Sequence, residues 1–190
     1  MRDWSSALES TSSIYVSISD LASKSTSRLI LSELTTEDAS FILKLYNDPD
    51  FITYIGDKGI KSNEDAENFI DSGPKQSYKV YNHGLYLVQL KDDTSIGICG
   101  LLKRDNLDLP DIGFAVLPDH RRMGYTYEAS KAVIHDAIKR LNINKISAIS
   151  SPDNDASIKL LIKLGFTFKE IVKLDSNKEP TQLYTIHLDS

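Results

Sequence analysis

Arg121-Arg122-Met123-Gly124-Tyr125-Thr126 puts two guanidinium groups and a glycine within six positions, a composition suited to holding a phosphate or another anion. The residues just before it, Asp111-Ile-Gly-Phe-Ala-Val-Leu-Pro118, alternate at Ile112, Phe114 and Val116 as a strand face does, and Pro118 removes a ladder donor. Apolar residues at helical spacing begin near Tyr125. The run therefore reads as strand, tight turn and helix start. The first turn of a helix leaves backbone amides unpaired at the positive end of the dipole, so an anion is stabilised there. Gly124 has no Cβ and lets the anion approach the backbone.

Several other chemistries are excluded. The turn lacks the Gly-x-x-x-x-Gly-Lys-[Ser/Thr] spacing of a nucleotide P-loop. It also lacks the glycine set and the later acidic residue of a dinucleotide fingerprint, Asn142 and Asn144 being the nearest polar residues to that place. His83, His120, His135 and His187 are scattered, and Cys99 is the single cysteine, so neither a metal site nor an internal disulfide is expected. No Ser-His-Asp order or nucleophile elbow points to a hydrolase.

Around this turn the chain supplies a sequence of elements. Residues 1–26 are rich in Ser and Thr and read as a flexible leader, within which Ile14-Tyr-Val16-Ser-Ile18 alternates as a short edge strand would. Residues 27–190 form one domain, beginning with a strand at 28–34. A helix follows, capped near Thr35 and ended by Asn47-Asp-Pro49, and a second is capped at Ser62 and stopped by Gly73-Pro74. The 51–61 link reads as a loop. Strands are expected at 78–90 and 95–104, joined by a turn at 91–94. After the central strand come a helix over 123–140, a strand at 145–149, a helix opened by Asn154, and strands at 166–174 and 182–188.

The 190 residues, 41% of them hydrophobic, suit a single folded domain. A net charge of −5 argues against a general nucleic-acid binder and favours cationic substrates such as amines. No apolar run approaches the ~20 residues that span a bilayer, and the N-terminal stretch lacks a signal-peptide core. A soluble, cytoplasmic protein is expected, as monomer or homodimer.

The Arg121 to Thr126 turn resembles the Arg/Gln-x-x-Gly-x-Gly/Ala turn of the GNAT acetyltransferases, with Thr126 where the family usually has Gly or Ala. About thirty residues later, Asn154-Asp-Ala-Ser157 … Lys163-Leu164-Gly165-Phe166 is similar to the family's Asn-x-x-Ser/Ala … Lys-Leu-Gly-Phe segment. Gly124-Tyr-Thr-Tyr-Glu128-Ala129 further resembles the RimJ/RimL-like branch, which acetylates protein N-terminal amines and has relatives acting on small amines. The resemblance implies an α/β fold with a mixed, mainly antiparallel sheet, helices on both faces and a central strand splayed to admit acetyl-CoA.

It also implies roles. Arg121, Arg122, Met123, Gly124, Tyr125 and Thr126 would hold the pyrophosphate of acetyl-CoA, with Asn154 and Ser157 beside the pantetheine arm. The thioester oxygen would meet a backbone amide of Ala115 or Val116, and Val116 and Leu117 would pair with the pantetheine amides. Phe51, Tyr54 and Ile55 fall where the family builds its acceptor wall, or pack under a loop. Asp111 takes the position of an acidic residue that helps the amine lose its proton. Leu161 stands where the family often keeps a Tyr for the leaving thiolate, which leaves Ser157 as the substitute donor. An N-acetyltransferase acting on a protein N-terminus or a small amine is expected. The alternative is a non-catalytic acyl-CoA-binding or sensor protein of the same fold.

Overall fold

The computed structural model describes residues 23–174 and 179–188. In chain order the strands are β1 (Ser23–Ser25), β2 (Leu29–Glu33), β3 (Leu85–Leu90), β4 (Ser95–Leu102), β5 (Asp111–Val116), β6 (Lys145–Ser150), β7 (Thr167–Val172) and β8 (Thr181–His187). The α-helices are α1 (Ala39–Tyr46), α2 (Pro49–Ile55), α3 (Asn63–Ser72), α4 (Pro74–Tyr81), α5 (Tyr125–Lys139) and α6 (Asp155–Lys163).

The strands form one sheet in the order β1-β2-β3-β4-β5-β6-β8-β7. Each neighbouring pair is antiparallel except β5 with β6. Alternation along the central strands divides their side chains between two cores. Ile112 joins Cys99, Leu101 and the inner faces of α5 and α6, including Val133, Ala137 and Leu161. Leu85, Leu87 and Ile98 join α1, α2 and α3 through Ile42, Leu45, Phe51 and Ile70. The fold is thus a mixed, mainly antiparallel sheet between two helical layers.

Two segments differ from the sequence expectation. The 51–61 link contains α2, because Asp48 accepts a hydrogen bond from the Phe51 amide at 3.2 Å while Pro49 occupies the first helical position, where its missing N–H costs nothing. Phe51 is buried with its ring centroid 4.3 Å from that of Tyr46, whereas Tyr54 and Ile55 are exposed. The expected 78–90 strand is a helix followed by a strand. Pro74 opens α4, and Asn82 closes it in the left-handed region at φ 57°. The buried Tyr78 hydroxyl accepts from the Leu34 amide at 3.0 Å and donates to the Leu85 carbonyl, so this apolar residue belongs to a helix facing the sheet. Ser23–Ser25, within the expected leader, pairs as an edge strand with Ser32 through Ile30 of β2. The Ile14–Ile18 segment lies outside the described residues.

Candidate active site

The parallel neighbours β5 and β6 are joined at one register pair, Asp111 with Ser147, supported by a 2.9 Å bond from the Ser147 amide to the Pro110 carbonyl. Past that pair the two strands diverge, and Gly113 to Val116 have no register partner on β6. On its other edge β5 is fully paired with β4, from Leu102 with Asp111 to Gly97 with Val116. The result is a wedge at the centre of the sheet, closed at Asp111 and open at Val116.

The register decides which backbone groups face the wedge. Leu117 donates to the Ile96 carbonyl at 2.9 Å. Hydrogen-bonded pairs alternate along an antiparallel ladder, so Ala115 with Ile98 and Gly113 with Gly100 are the next such pairs. Ala115 and Leu117 therefore direct their amides at β4, while Phe114 and Val116 direct theirs into the wedge. Of the two residues the sequence offered for the oxyanion amide, Val116 has the required direction. Phe114 is a backbone position that sequence reasoning did not single out.

The turn after β5 lies at the mouth of the wedge. Gly124 adopts φ 80° and precedes α5 without any side-chain cap. Glu128 makes the first bond inside the helix, to the Gly124 carbonyl at 3.1 Å, which leaves the amides of Tyr125, Thr126 and Tyr127 without intrahelical acceptors. Thr126 lines, with Val116 and Ala129, a small pocket of about 10 Å³ between α5 and the sheet.

The two arginines of the turn part company. Arg122 is exposed and sits in the left-handed region at φ 62°, a conformation that disfavours a residue with a Cβ. Arg121 is engaged with carboxylates and with β5. Its guanidinium pairs with Asp48 at 2.5 Å and with Asp50, and its Nε donates to the Val116 carbonyl at 3.2 Å.

A further cation reaches the turn from the N-terminal side. Arg28 donates through Nε to Glu128 at 2.7 Å and through Nη1 to the Met123 carbonyl at 3.0 Å, and its guanidinium lies 4.6 Å over the Tyr125 ring. Glu128 also accepts from the Thr26 hydroxyl at 2.6 Å, the Ser27 hydroxyl at 3.0 Å and the Arg28 amide at 2.9 Å. Partial burial alone would raise the Glu128 carboxyl, yet these donors hold it at about 2. Sequence reasoning missed this network, whose members lie about 100 residues apart. Beside Gly124 runs a groove of about 790 Å³ lined by Arg28, Tyr127, Lys131 and Lys163.

Asp111 is fully buried at the closed end of the wedge, and both of its oxygens accept from Arg104 Nε, at 2.9 and 3.0 Å. Burial pushes its carboxyl above the ordinary value, with the Arg104 charge pulling the other way. Asn154 caps α6 by accepting from the Ser157 amide at 3.0 Å. Among the described residues the Ser157 hydroxyl has no hydrogen-bond partner. Leu161 points into the core and is fully buried. No group of three or more His, Cys, Asp or Glu among the described residues could hold a metal. No helix among them is long and apolar enough to cross a membrane.

Residues 28–167 match the acetyltransferase (GNAT) domain. The chain belongs to the GNAT acetyltransferase family. This GNAT chain is 27% identical over 168 residues to the uncharacterized N-acetyltransferase YoaA of Bacillus subtilis, covering 85% of this chain and 94% of that protein. Its fold is similar to that of the ribosomal-protein-S5-alanine acetyltransferase of Vibrio fischeri, with a TM-score of 0.73 at 18% identity, covering 88% of this chain and 97% of the other. The microcin C7 self-immunity acetyltransferase MccE, solved with acetyl-CoA and AMP, has a TM-score of 0.73 at 15% identity, covering 89% and 95%. GNAT proteins use acetyl-CoA, and the residues of this chain fit it: unpaired amides and Arg122 at the turn suit a pyrophosphate, and the unpaired edge of β5 suits the amides of the pantetheine arm.

Proposed function

We propose that this GNAT acetyltransferase transfers the acetyl group of acetyl-CoA to a primary amine, either a protein N-terminal amine or that of a small molecule, by direct attack in the wedge. The observation that carries the reading is the wedge itself, with inward-facing amides of Phe114 and Val116 on one side and the uncapped start of α5 at its mouth.

Acetyl-CoA supplies a thioester whose carbonyl carbon takes the amine nitrogen as the carbon–sulfur bond breaks, giving the amide and the free thiol. The Val116 amide is aimed to stabilise the negative charge that develops on the carbonyl oxygen. Arg122 and the amides of Gly124, Tyr125 and Thr126 hold the pyrophosphate, with Met123 as part of the same turn. Lys131 and Lys163 give the adjoining groove cations for the remaining phosphate. Asp111, whose carboxyl burial raises, takes up the amine's proton through intervening water, because it is fully buried and lies five residues along β5 from Val116, roughly 16 Å at the rise of a strand. The Ser157 hydroxyl, without a hydrogen-bond partner among the described residues, protonates the departing sulfur. An α-amine, with a reference pKa near 8, needs less assistance than a lysine near 10.4, which favours N-terminal amines for a site with one base. The likeness in fold to a ribosomal-protein acetyltransferase supports the same choice, and a cytoplasmic location follows from such substrates.

Calorimetric titration with acetyl-CoA and CoA, followed by thiol release against peptides with free N-terminal Ala or Ser and against spermine, tests the reading. Saturable acetyl-CoA binding and amine-dependent thiol release are expected, with Asp111→Asn and Ser157→Ala slowing turnover at nearly unchanged acetyl-CoA affinity. Absence of acetyl-CoA binding by the wild-type protein would overturn it.

A further inference from the structure

Arg121 stands in the motif where a phosphate contact was expected, yet among the described residues every partner of its side chain belongs to another part of the site. Two of its nitrogens pair with Asp48 and Asp50, and its Nε bonds the Val116 carbonyl. Asp48 is buried, and the same Oδ1 that pairs with Arg121 accepts the Phe51 amide and so caps α2. Asp50 lies in the first turn of α2, where a carboxylate is favoured by the helix dipole. Val116 is the last residue of β5, and its backbone faces the wedge. One planar guanidinium therefore joins the start of α2 to the residue whose N–H is the proposed oxyanion donor, through that residue's own carbonyl in the following peptide. A lysine, with a single nitrogen, is unable to reproduce this three-way geometry.

The geometry points to Arg121 as a positioning residue that couples α2 to the cofactor strand, and not as a phosphate ligand. This rests on the proposed acetyl-CoA reading of the wedge. Beyond its Phe51 anchor, α2 presents Ile52, Tyr54 and Ile55 to solvent. Its placement relative to Val116 is set through Arg121, so filling the wedge at Val116 is transmitted to this helix. Loss of the link leaves Asp48 buried without its cation and frees the Val116 carbonyl.

The test is hydrogen exchange of the α2 amides, with and without saturating acetyl-CoA, beside calorimetric acetyl-CoA titration, for wild type, Arg121→Ala, Arg121→Lys and Asp50→Asn. In wild type, acetyl-CoA should slow α2 exchange at least threefold. In Arg121→Ala, α2 should exchange at least tenfold faster and no longer respond, while acetyl-CoA affinity stays within threefold; Arg121→Lys should fall between. Asp50→Asn, a surface change expected to fold, should loosen α2 without tightening acetyl-CoA. A tenfold loss of acetyl-CoA affinity in Arg121→Ala with α2 unchanged would overturn the inference in favour of a phosphate ligand, as would tighter binding by Asp50→Asn. Wild-type α2 indifferent to bound acetyl-CoA would also overturn it. A flat wild-type titration would instead sink the proposed function, and a normal α2 rate in Arg121→Ala would still count against the link.

Discussion

Replacing Glu128 with Gln tests how the 121–126 turn and the start of α5 are attached to the rest of the fold. The carboxylate gathers four donors from Thr26, Ser27 and Arg28, and its side chain is only 16% exposed. Holding it at about 2 instead of its ordinary 4.5 corresponds to an upper bound of roughly 3 kcal/mol of preference for the charged form. Arg28 is 47% exposed, so solvent screens its share. A loss of about 1–2 kcal/mol in Glu128→Gln at pH 7 is expected after that screening. The amide also places an N–H opposite Arg28 Nε, and Arg28 then lies uncompensated at the positive end of α5. The folded carboxyl is depressed, so its contribution is present above 4.5 and is lost as the pH falls through 4.5 towards about 2. Urea unfolding of both proteins from pH 7 down to pH 3 measures this. The difference in stability should shrink below pH 4.5; a difference under ~0.3 kcal/mol at pH 7, or one independent of pH, would refute the reasoning.

Three other outcomes are expected. Gly124→Ala forces a Cβ onto a residue at φ 80°, where the strain comes from the backbone, since the new atom would only touch Arg28 Nη2 at 3.4 Å; it should cost about 1–2 kcal/mol in unfolding free energy and weaken acetyl-CoA binding at least tenfold by calorimetry. Arg122→Gly relieves a side chain held at φ 62°, so stability by thermal melting should stay equal or rise by up to about 1 kcal/mol while acetyl-CoA affinity falls, most at low salt. Leu161→Tyr should not rescue the thiol-release rate of Ser157→Ala, because Leu161 is buried in the core; the Tyr should instead lower stability by about 1–3 kcal/mol through overpacking, seen in urea unfolding.

Much of the fold was legible because its signals are local. Alternation marked β2, β4, β5 and β8, capping residues marked α1, α3 and α6, and the glycine turn marked the start of α5. Two helices were not. Asp48-Pro49 ends one helix and begins the next, and sequence alone reads such a pair as a stop. Tyr78 to Tyr81 looks like strand by composition, and only the Tyr78 hydroxyl reaching Leu34 and Leu85 makes it the inner face of a helix.

The candidate site divides along the same line. Residues within a few positions of one another were enough to show that a strand precedes the 121–126 turn, that a helix follows it and that Asn154 opens a helix. Tertiary structure decided that the strand splays past Asp111, that Val116 and not Ala115 aims its amide into the gap, and that Arg121 serves α2 while Arg28 joins the turn. Those outcomes depend on pairing register and on partners tens to about a hundred residues away. A strand's own sequence leaves open which neighbour receives each amide, and an arginine's leaves open which of several anions it will meet, until the chain has folded.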